Sequence, residues 1–547
     1  MDIKYDHRFF IDADIRSQQR FSQISSLSES EKNAYFNEVS HNVNMLSQNL
    51  DFNSVSQHIN MLYQSLLKGQ ETLIPNTVFE NRQFLDNLFI LIGNGNLCFI
   101  TCKLIARILY YTTGLGQCFH RFIEPLFNIF LANSQHVELD SVTCALCNIV
   151  YDAIEFDFEG IDDDHPITKL AHVFPNAIQA VQNRQLTHSF LLLVRYLSII
   201  DARKNSFDKY MLFFISHVTK GEVMANNEFM RIVLWTLYDL CERRCNYAIE
   251  YIVNSNIVPY LTEKMKQDNC IFAEPIIAIF YQIIDHSDQE LNISDLPFDI
   301  PFIFHNFLRI SCDPQNPNPT PAIPIQTGIE DAIQYESLQF IHILTKHFPG
   351  FMFVNFLKAT IRDDGAGGID FMNLHSYTYK AQLQVLWIAC ELISANQNDF
   401  LDPVSLELLL KLILSLSEDC GDDTRMYLAI ESINNLAANF YLQGKNDFID
   451  QMIAETGAFD FIENMKFSDN EKLAHAASMY EMKDKLYEIK MAQAELEQKY
   501  PNLQNIPPEM TFSSDDSDDF KIADAVDDDD NTNIKVPSKI RFVYQPK

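Results

Sequence analysis

The stretch Arg231–Met265, RIVLWTLYDLCERRCNYAIEYIVNSNIVPYLTEKM, constrains this chain more than any other. From Ile232 to Leu240, the residues Val233, Trp235, Leu237 and Leu240 are spaced to cover the buried side of a helix. A polar break follows at Glu242–Asn246. A second apolar run, Tyr247–Val253, ends in Asn254-Ser255-Asn256. Pro259 then opens another helix, since proline's missing N–H has no partner in a first turn anyway. Equivalent apolar helices centre on Cys102, Cys144, Leu192, Ala278, Phe340, Trp387, Glu431 and Ala476, most of them about 42 to 48 residues apart. Units of this kind bury their apolar faces by stacking on one another. The pattern runs almost unbroken from residue 51 to residue 500 with no competing strand alternation, and it predicts an all-α solenoid.

Other local signals fit this reading. Prolines at Pro125, Pro175, Pro259, Pro301 and Pro403 are expected to open helices, and Ser28 and Glu31 have the spacing of a capping box. The proline-rich Asp313–Thr327, the acidic Glu155–Pro166, and the turns Arg362–Asp370 and Glu418–Thr424 read as connections. The glycine cluster at 365 to 368 follows no strand and lacks the Gly-Lys-Ser/Thr of a phosphate loop. Residues 1–50 form a polar extension with scattered basic residues (Lys4, Arg8, Arg16, Arg20 and Lys32). Residues 501–547 form an acidic tail expected to be disordered, ending in the basic-aromatic KVPSKIRFVYQPK.

With 547 residues, 47% of them hydrophobic, the chain can bury a long core, and its formal charge is −33. Such a surface repels phosphate backbones and anionic lipid and favours basic partners, so neither nucleic acid nor membrane is expected. The N-terminus lacks the apolar core of a secretory signal, and no apolar run is long enough for a membrane helix. The cytoplasm and nucleus are the expected locations. Eleven cysteines include three pairs with ligand-like spacing: Cys98/Cys102, Cys144/Cys147 and Cys241/Cys245. All lie in apolar helical runs and read as core, with no metal and no other cofactor. No catalytic motif is present, and an enzyme is not expected.

The run LWTLYDLC followed by IVNSNIVPYLTEKM resembles the armadillo repeats of the importin-α family. There the last helix of a repeat carries Trp-x-x-x-Asn, and the next repeat opens on a Gly-x-(I/V)-Pro-x-L turn. The segment 453–488 is similar to the end of that family's array, with Gly457, Phe461, Asn470, Glu471 and Leu473 in the matching places, and its helix is expected to reach Tyr500. The resemblance implies a right-handed armadillo/HEAT-like α-solenoid of about nine to ten repeats. It also implies a non-enzymatic adaptor that binds nuclear localisation signals on a concave face for nuclear protein import, with nuclear transport receptors as further partners. The family's densely basic, importin-β-binding N-terminal segment is not reproduced.

In that family tryptophans pack the stems of lysine side chains, asparagines hydrogen-bond the peptide backbone, and nearby acids meet the ammonium groups. The physical reasons are the apolar lysine stem, the cation–π attraction of the indole face, and charge pairing. Here the matching peptide-binding candidates are Trp235 with Asp239, Trp387 with Glu391, and the asparagine-like Asn148 and Asn435. Asp239 and Glu391 stand where asparagine is usual, and would accept hydrogen bonds rather than donate them. The alternative is an armadillo/HEAT scaffold for another complex, with no cargo groove. Exposed, aligned tryptophans would favour the adaptor, and tryptophans buried between helices would favour the scaffold.

Overall fold

The computed structural model describes residues 28–48, 52–68, 74–133, 138–157, 161–180, 186–200, 204–286, 298–308, 329–361, 377–395, 400–418 and 423–482. The acidic tail, the helix expected beyond Met482, the Asp313–Thr327 connection and most of the N-terminal extension lie outside them. Among the described residues every regular element is helical. The chain divides into two compact units, Met1–Phe307 with Thr320–Ile343, and Leu308–Pro319 with Leu344–Lys547.

In the first unit the helices Phe52–Lys68, Cys98–Tyr111, Leu139–Asp157, His188–Ile200, Asn227–Asn254 and Ala273–Asp285 pack each against the next. They hold the apolar centres that the sequence spaces at the repeat interval. A second layer, Glu29–Gln48, Arg82–Ile92, Ile123–Ala132, Pro166–Ala180 and Lys204–Val218, lies against them. In the second unit Tyr379–Ser394, Asp423–Leu442 and Glu471–Ser478 make the corresponding row, backed by Pro403–Glu418 and the short helices Asn446–Thr456 and Ala458–Met465.

The repeat interval reappears in hydrogen bonds that join one helix of a row to its neighbour. Asn87 Nδ2 donates to Leu46 O, 41 residues away, and Asn148 Nδ2 to Ala106 O across 42. In the second unit Asn439 Nδ2 reaches Ser394 O across 45, and Asn434 Nδ2 reaches Ala476 O across 42. Arg425 donates to Tyr379 O at 2.9 Å, with its guanidinium carbon 3.9 Å from the centre of the Tyr379 ring. Leu46, Ser394 and Ala476 lie in the last turns of their helices, where carbonyls lack an α-helical donor, while Ala106 and Tyr379 offer a second lone pair. The side chains bonded to these oxygens fix the register of successive repeats.

The terminal signals behave as their chemistry requires. Ser28 and Glu31 form a capping box: Ser28 N–H donates to Glu31 Oε2 at 2.8 Å, and Ser28 Oγ accepts from Glu31 N–H at 3.4 Å. Pro259, Pro301 and Pro403 stand in first helical turns, and Pro125 is the third residue of its helix. Gly457 has φ +85°, a left-handed position that ends one helix and starts the next.

Two local readings are corrected. The polar Glu242–Asn246 segment does not end its helix, which runs unbroken from Asn227 to Asn254. Polar residues do not stop a helix whose flanking turns are held by neighbours, and Ile232–Cys241 is buried throughout. Pro175 does not open a helix either: Pro166 does, and Pro175 sits inside. A proline there leaves the carbonyl four residues back without its intrahelical donor. That carbonyl is Ala171 O, and Tyr210 OH donates to it at 2.9 Å.

His217 is a buried imidazole with both nitrogens engaged. Nδ1 lies 2.6 Å from Phe213 O, and Lys220 Nζ lies 2.8 Å from Nε2. The neutral tautomer with hydrogen on Nδ1 satisfies both contacts, whereas a protonated ring would face the lysine ammonium. Burial pushes its pKa down to about 4; Lys220 lowers it further, while the Phe213 carbonyl and Glu222 oppose the shift. The unfolded ring protonates below roughly pH 6.5. Its contribution to stability is therefore complete above that pH and declines as pH falls toward 4. His217→Gln is expected to flatten the loss of unfolding free energy between pH 6.5 and 4 by about 1–3 kcal/mol. Urea denaturation at a series of pH values measures it, and parallel curves for the two proteins would remove His217 from the account.

Candidate peptide-binding face

The six candidate residues fall into two groups. In the first unit Trp235 is only 2% exposed, because its helix is enclosed by His188–Ile200, Lys204–Val218 and Ala273–Asp285. Its ring packs edge-on against Tyr238 with centroids 5.6 Å apart, and its Nε1 finds no acceptor among the described residues. Asp239, one turn on, is buried too. Its Oδ2 accepts from Arg195 Nε at 3.1 Å and lies 3.0 Å from Nη2, a two-pronged ion pair within the core. Asn148 is half-buried, and its amide nitrogen serves Ala106 O at 2.8 Å. Asp239 and Asn148, assigned to a peptide, instead tie helix to helix, and Trp235 fills the core between helices. The expected slot at Trp235 and Asp239 is corrected to core packing, because Ile232–Cys241 is buried on every side and leaves no open face for one.

The second unit differs. Trp387 and Glu391 are half-buried, one turn apart on Tyr379–Ser394. Glu431 and Asn435 are half-buried, one turn apart on the adjacent Asp423–Leu442. The Asn439–Ser394 and Arg425–Tyr379 bonds set the register between these helices, so the Trp387–Glu391 turn and the Glu431–Asn435 turn stand at about the same level of the pair. Tyr427 extends the line, its OH donating to Glu431 Oε1 at 2.5 Å. That bond and burial push the phenol's pKa up, burial contributing most. The arrangement offers one indole, two carboxylates, a phenol and a carboxamide on neighbouring turns. This composition suits a cationic side chain with an apolar stem.

Glu431 and Tyr427 stand out only once the helices are paired, since in sequence Glu431 reads merely as the residue four before the asparagine-like Asn435. Arg195 had a legible signal, a lone cation within the apolar HSFLLLVRYLSII. Its role follows from the repeat interval, because Asp239 lies 44 residues on.

Cys98 and Cys102 are both buried, with the Cys102 thiol pushed up by the neighbouring Cys98 and by burial. Among the described residues no three His, Cys, Asp or Glu side chains gather as metal ligands. None of the described helices is long and apolar enough to cross a membrane.

No family model matches the chain, and no curated protein matches its sequence. Solved structures do. One is the crystal structure of an engineered protein, 10% identical, with a TM-score of 0.55, covering 82% of this chain and 99% of that one. Another, of armadillo type, comes from work on a phosphorylation switch that controls the interaction between cadherin and β-catenin. It is 11% identical, with a TM-score of 0.50, and covers 87% of this chain and 96% of its own. The fold is thus an all-α solenoid of armadillo type.

Proposed function

We propose that this protein is a non-enzymatic, protein-binding adaptor that takes a basic segment of its partner on the Trp387–Glu391–Glu431–Asn435 face. The observation that supports the reading is that half-buried Trp387 and Glu391 stand at about the same level as half-buried Glu431 and Asn435 on two paired helices of the second unit. A lysine or arginine stem would lie on the indole with its charge between the carboxylates, and the Asn435 carboxamide would meet the peptide backbone. The formal charge of −33 adds long-range attraction for such segments. In its most specific form the adaptor carries nuclear localisation signals, working between cytoplasm and nucleus with transport receptors.

The test is binding of a fluorescent lysine-rich localisation peptide to the full chain at several salt concentrations. Trp387→Ala and Glu431→Gln should each weaken binding by about tenfold, equivalent to about 1.4 kcal/mol. Trp235→Ala should leave the affinity of the folded protein unchanged. Binding indifferent to Trp387 and Glu431 would reduce the interaction to attraction between opposite net charges and overturn the site.

A second reading, a scaffold without a cargo face, is favoured by the burial of Trp235 and the pairing of Asp239 with Arg195. Absence of peptide binding at low salt would select it.

A further inference from the structure

In the first unit Glu29–Gln48 and Phe52–Lys68 pack against each other, and an open cleft of about 710 Å³ lies between them. The volume is that of a ligand site, but the walls are not the apolar ones usual there. Of its ten lining residues only Met61 is apolar. The floor is polar as well. Asn42 and Ser65, 4% and 2% exposed, stand among the buried Val39, Val43, Leu62 and Leu66 that close the seam. Asn42 Nδ2 donates to Ser65 Oγ at 2.9 Å. Aliphatic side chains in these two places would seal the helix pair without desolvating a polar group.

The cleft's carboxylate and its ammonium neutralise each other, in a chain whose formal charge is −33. Glu38 pairs with Lys68 at 2.8 Å, and Ser65 Oγ stands 2.7 Å from the same carboxylate oxygen. Lys68 and then Ser65 hold the Glu38 carboxyl below its usual range. Gln57, Asn60 and Gln64 differ. They are exposed, each about one turn from the next on the side of Phe52–Lys68 that lines the cleft. Their carboxamides make no hydrogen bond among the described residues. We propose that this cleft binds an extended, uncharged stretch of a partner protein through the main chain of that stretch.

The chemistry of the lining selects this occupant. A carboxamide both donates and accepts, and so does each peptide unit of an extended chain, whose N–H and C=O groups need partners. A helical segment would arrive with those groups bonded to each other. It would also need an apolar seat, which one methionine does not supply. A charged segment would find Glu38 and Lys68 already engaged. The attraction is therefore one of hydrogen bonds between neutral groups and depends little on salt, unlike that of the acidic face in the second unit.

The probe is an array of capped decapeptides of random sequence drawn from Ser, Thr, Asn, Gln and Gly, with lysine-rich and leucine-rich arrays beside it. The labelled full chain is applied at about 0.5 M salt, which screens its general attraction for the basic array. The uncharged array should retain the most protein. The affinity of its best peptide, measured in solution, should change less than about twofold between 0.15 and 0.5 M salt. Gln57→Ala/Gln64→Ala should weaken that affinity about tenfold, the loss expected when two hydrogen bonds are removed. Both side chains are exposed, and circular dichroism verifies the fold of the variant. Methylating alternate backbone nitrogens of the peptide, in the two possible registers, should weaken binding about tenfold in at least one register, with every side chain unchanged. An uncharged array that retains no more protein than the others, an affinity unchanged in the variant, or full affinity in both methylated peptides would overturn the proposal. Trp387→Ala should have no effect on this probe, so the outcome is separable from that of the localisation peptide.

Discussion

Asp239→Ala is expected to be the most damaging single substitution described here, lowering the unfolding free energy by about 3–5 kcal/mol. Both members of the pair are nearly inaccessible, with side-chain exposures of 2% for Arg195 and 6% for Asp239. Removing the carboxylate takes away the acceptor that engages two nitrogens of a guanidinium in a helix whose residues 189–199 are all buried, and weakening the compensation of a buried charge is among the costliest changes a core can undergo. The pair as a whole is a different matter. Desolvating two ions offsets much of their attraction, so replacing both by apolar groups of similar volume is often neutral or stabilising. Arg195→Met/Asp239→Leu should therefore recover most of the loss and lie within about 2 kcal/mol of wild type. Thermal and urea denaturation of the three variants measures the cycle. A double variant as unstable as Asp239→Ala would mean that the pair contributes more than charge compensation. A small effect of Asp239→Ala would mean that the guanidinium reaches water.

Gly116→Ala should cost about 2–4 kcal/mol. Asp152, buried on Leu139–Asp157, accepts from the backbone N–H groups of Gly114 at 2.9 Å and Gly116 at 2.5 Å. It thereby satisfies two donors in the turn after Cys98–Tyr111. A methyl group at position 116 would stand 2.6 Å from Asp152 Oδ2 and 3.1 Å from its Cβ. The buried carboxylate must then move and release the hydrogen bonds that hold the turn. Gly221→Ala is the control, because nothing lies within 4 Å of its added carbon; it should be neutral or stabilising by up to about 1 kcal/mol. Asp152→Asn separates crowding from bonding. It keeps the shape but turns an amide donor toward one of the two N–H groups, and should cost about 1–3 kcal/mol. If Gly116→Ala and Gly221→Ala prove equally mild, the contact at Asp152 is not the constraint that the geometry describes.

Sequence alone was enough for whatever rests on local chemistry repeated along the chain. The interval between apolar helices, the capping box at Ser28 and Glu31 and the first-turn prolines Pro259, Pro301 and Pro403 follow from periodicity, side-chain capping and the missing proline N–H. Tertiary structure decided whatever depends on which residues meet across repeats. The run Glu242–Asn246 looks like a helix end in isolation, but helices packed around Ile232–Cys241 carry the turns straight through it. Pro175 looks like a helix start, but Pro166 opens the helix and Tyr210 supplies the donor that Pro175 leaves missing. Trp235–Asp239 and Trp387–Glu391 have the same four-residue spacing and the same order of aromatic and acid. One pair is closed within Ile232–Cys241, a stretch of helix buried throughout, with its acid held by Arg195; the other is half-buried on a helix paired with the one that carries Glu431 and Asn435. Spacing within a helix fixes which residues share a side of it. Whether that side meets solvent or another helix is set by neighbours more than forty residues away, which no local pattern encodes.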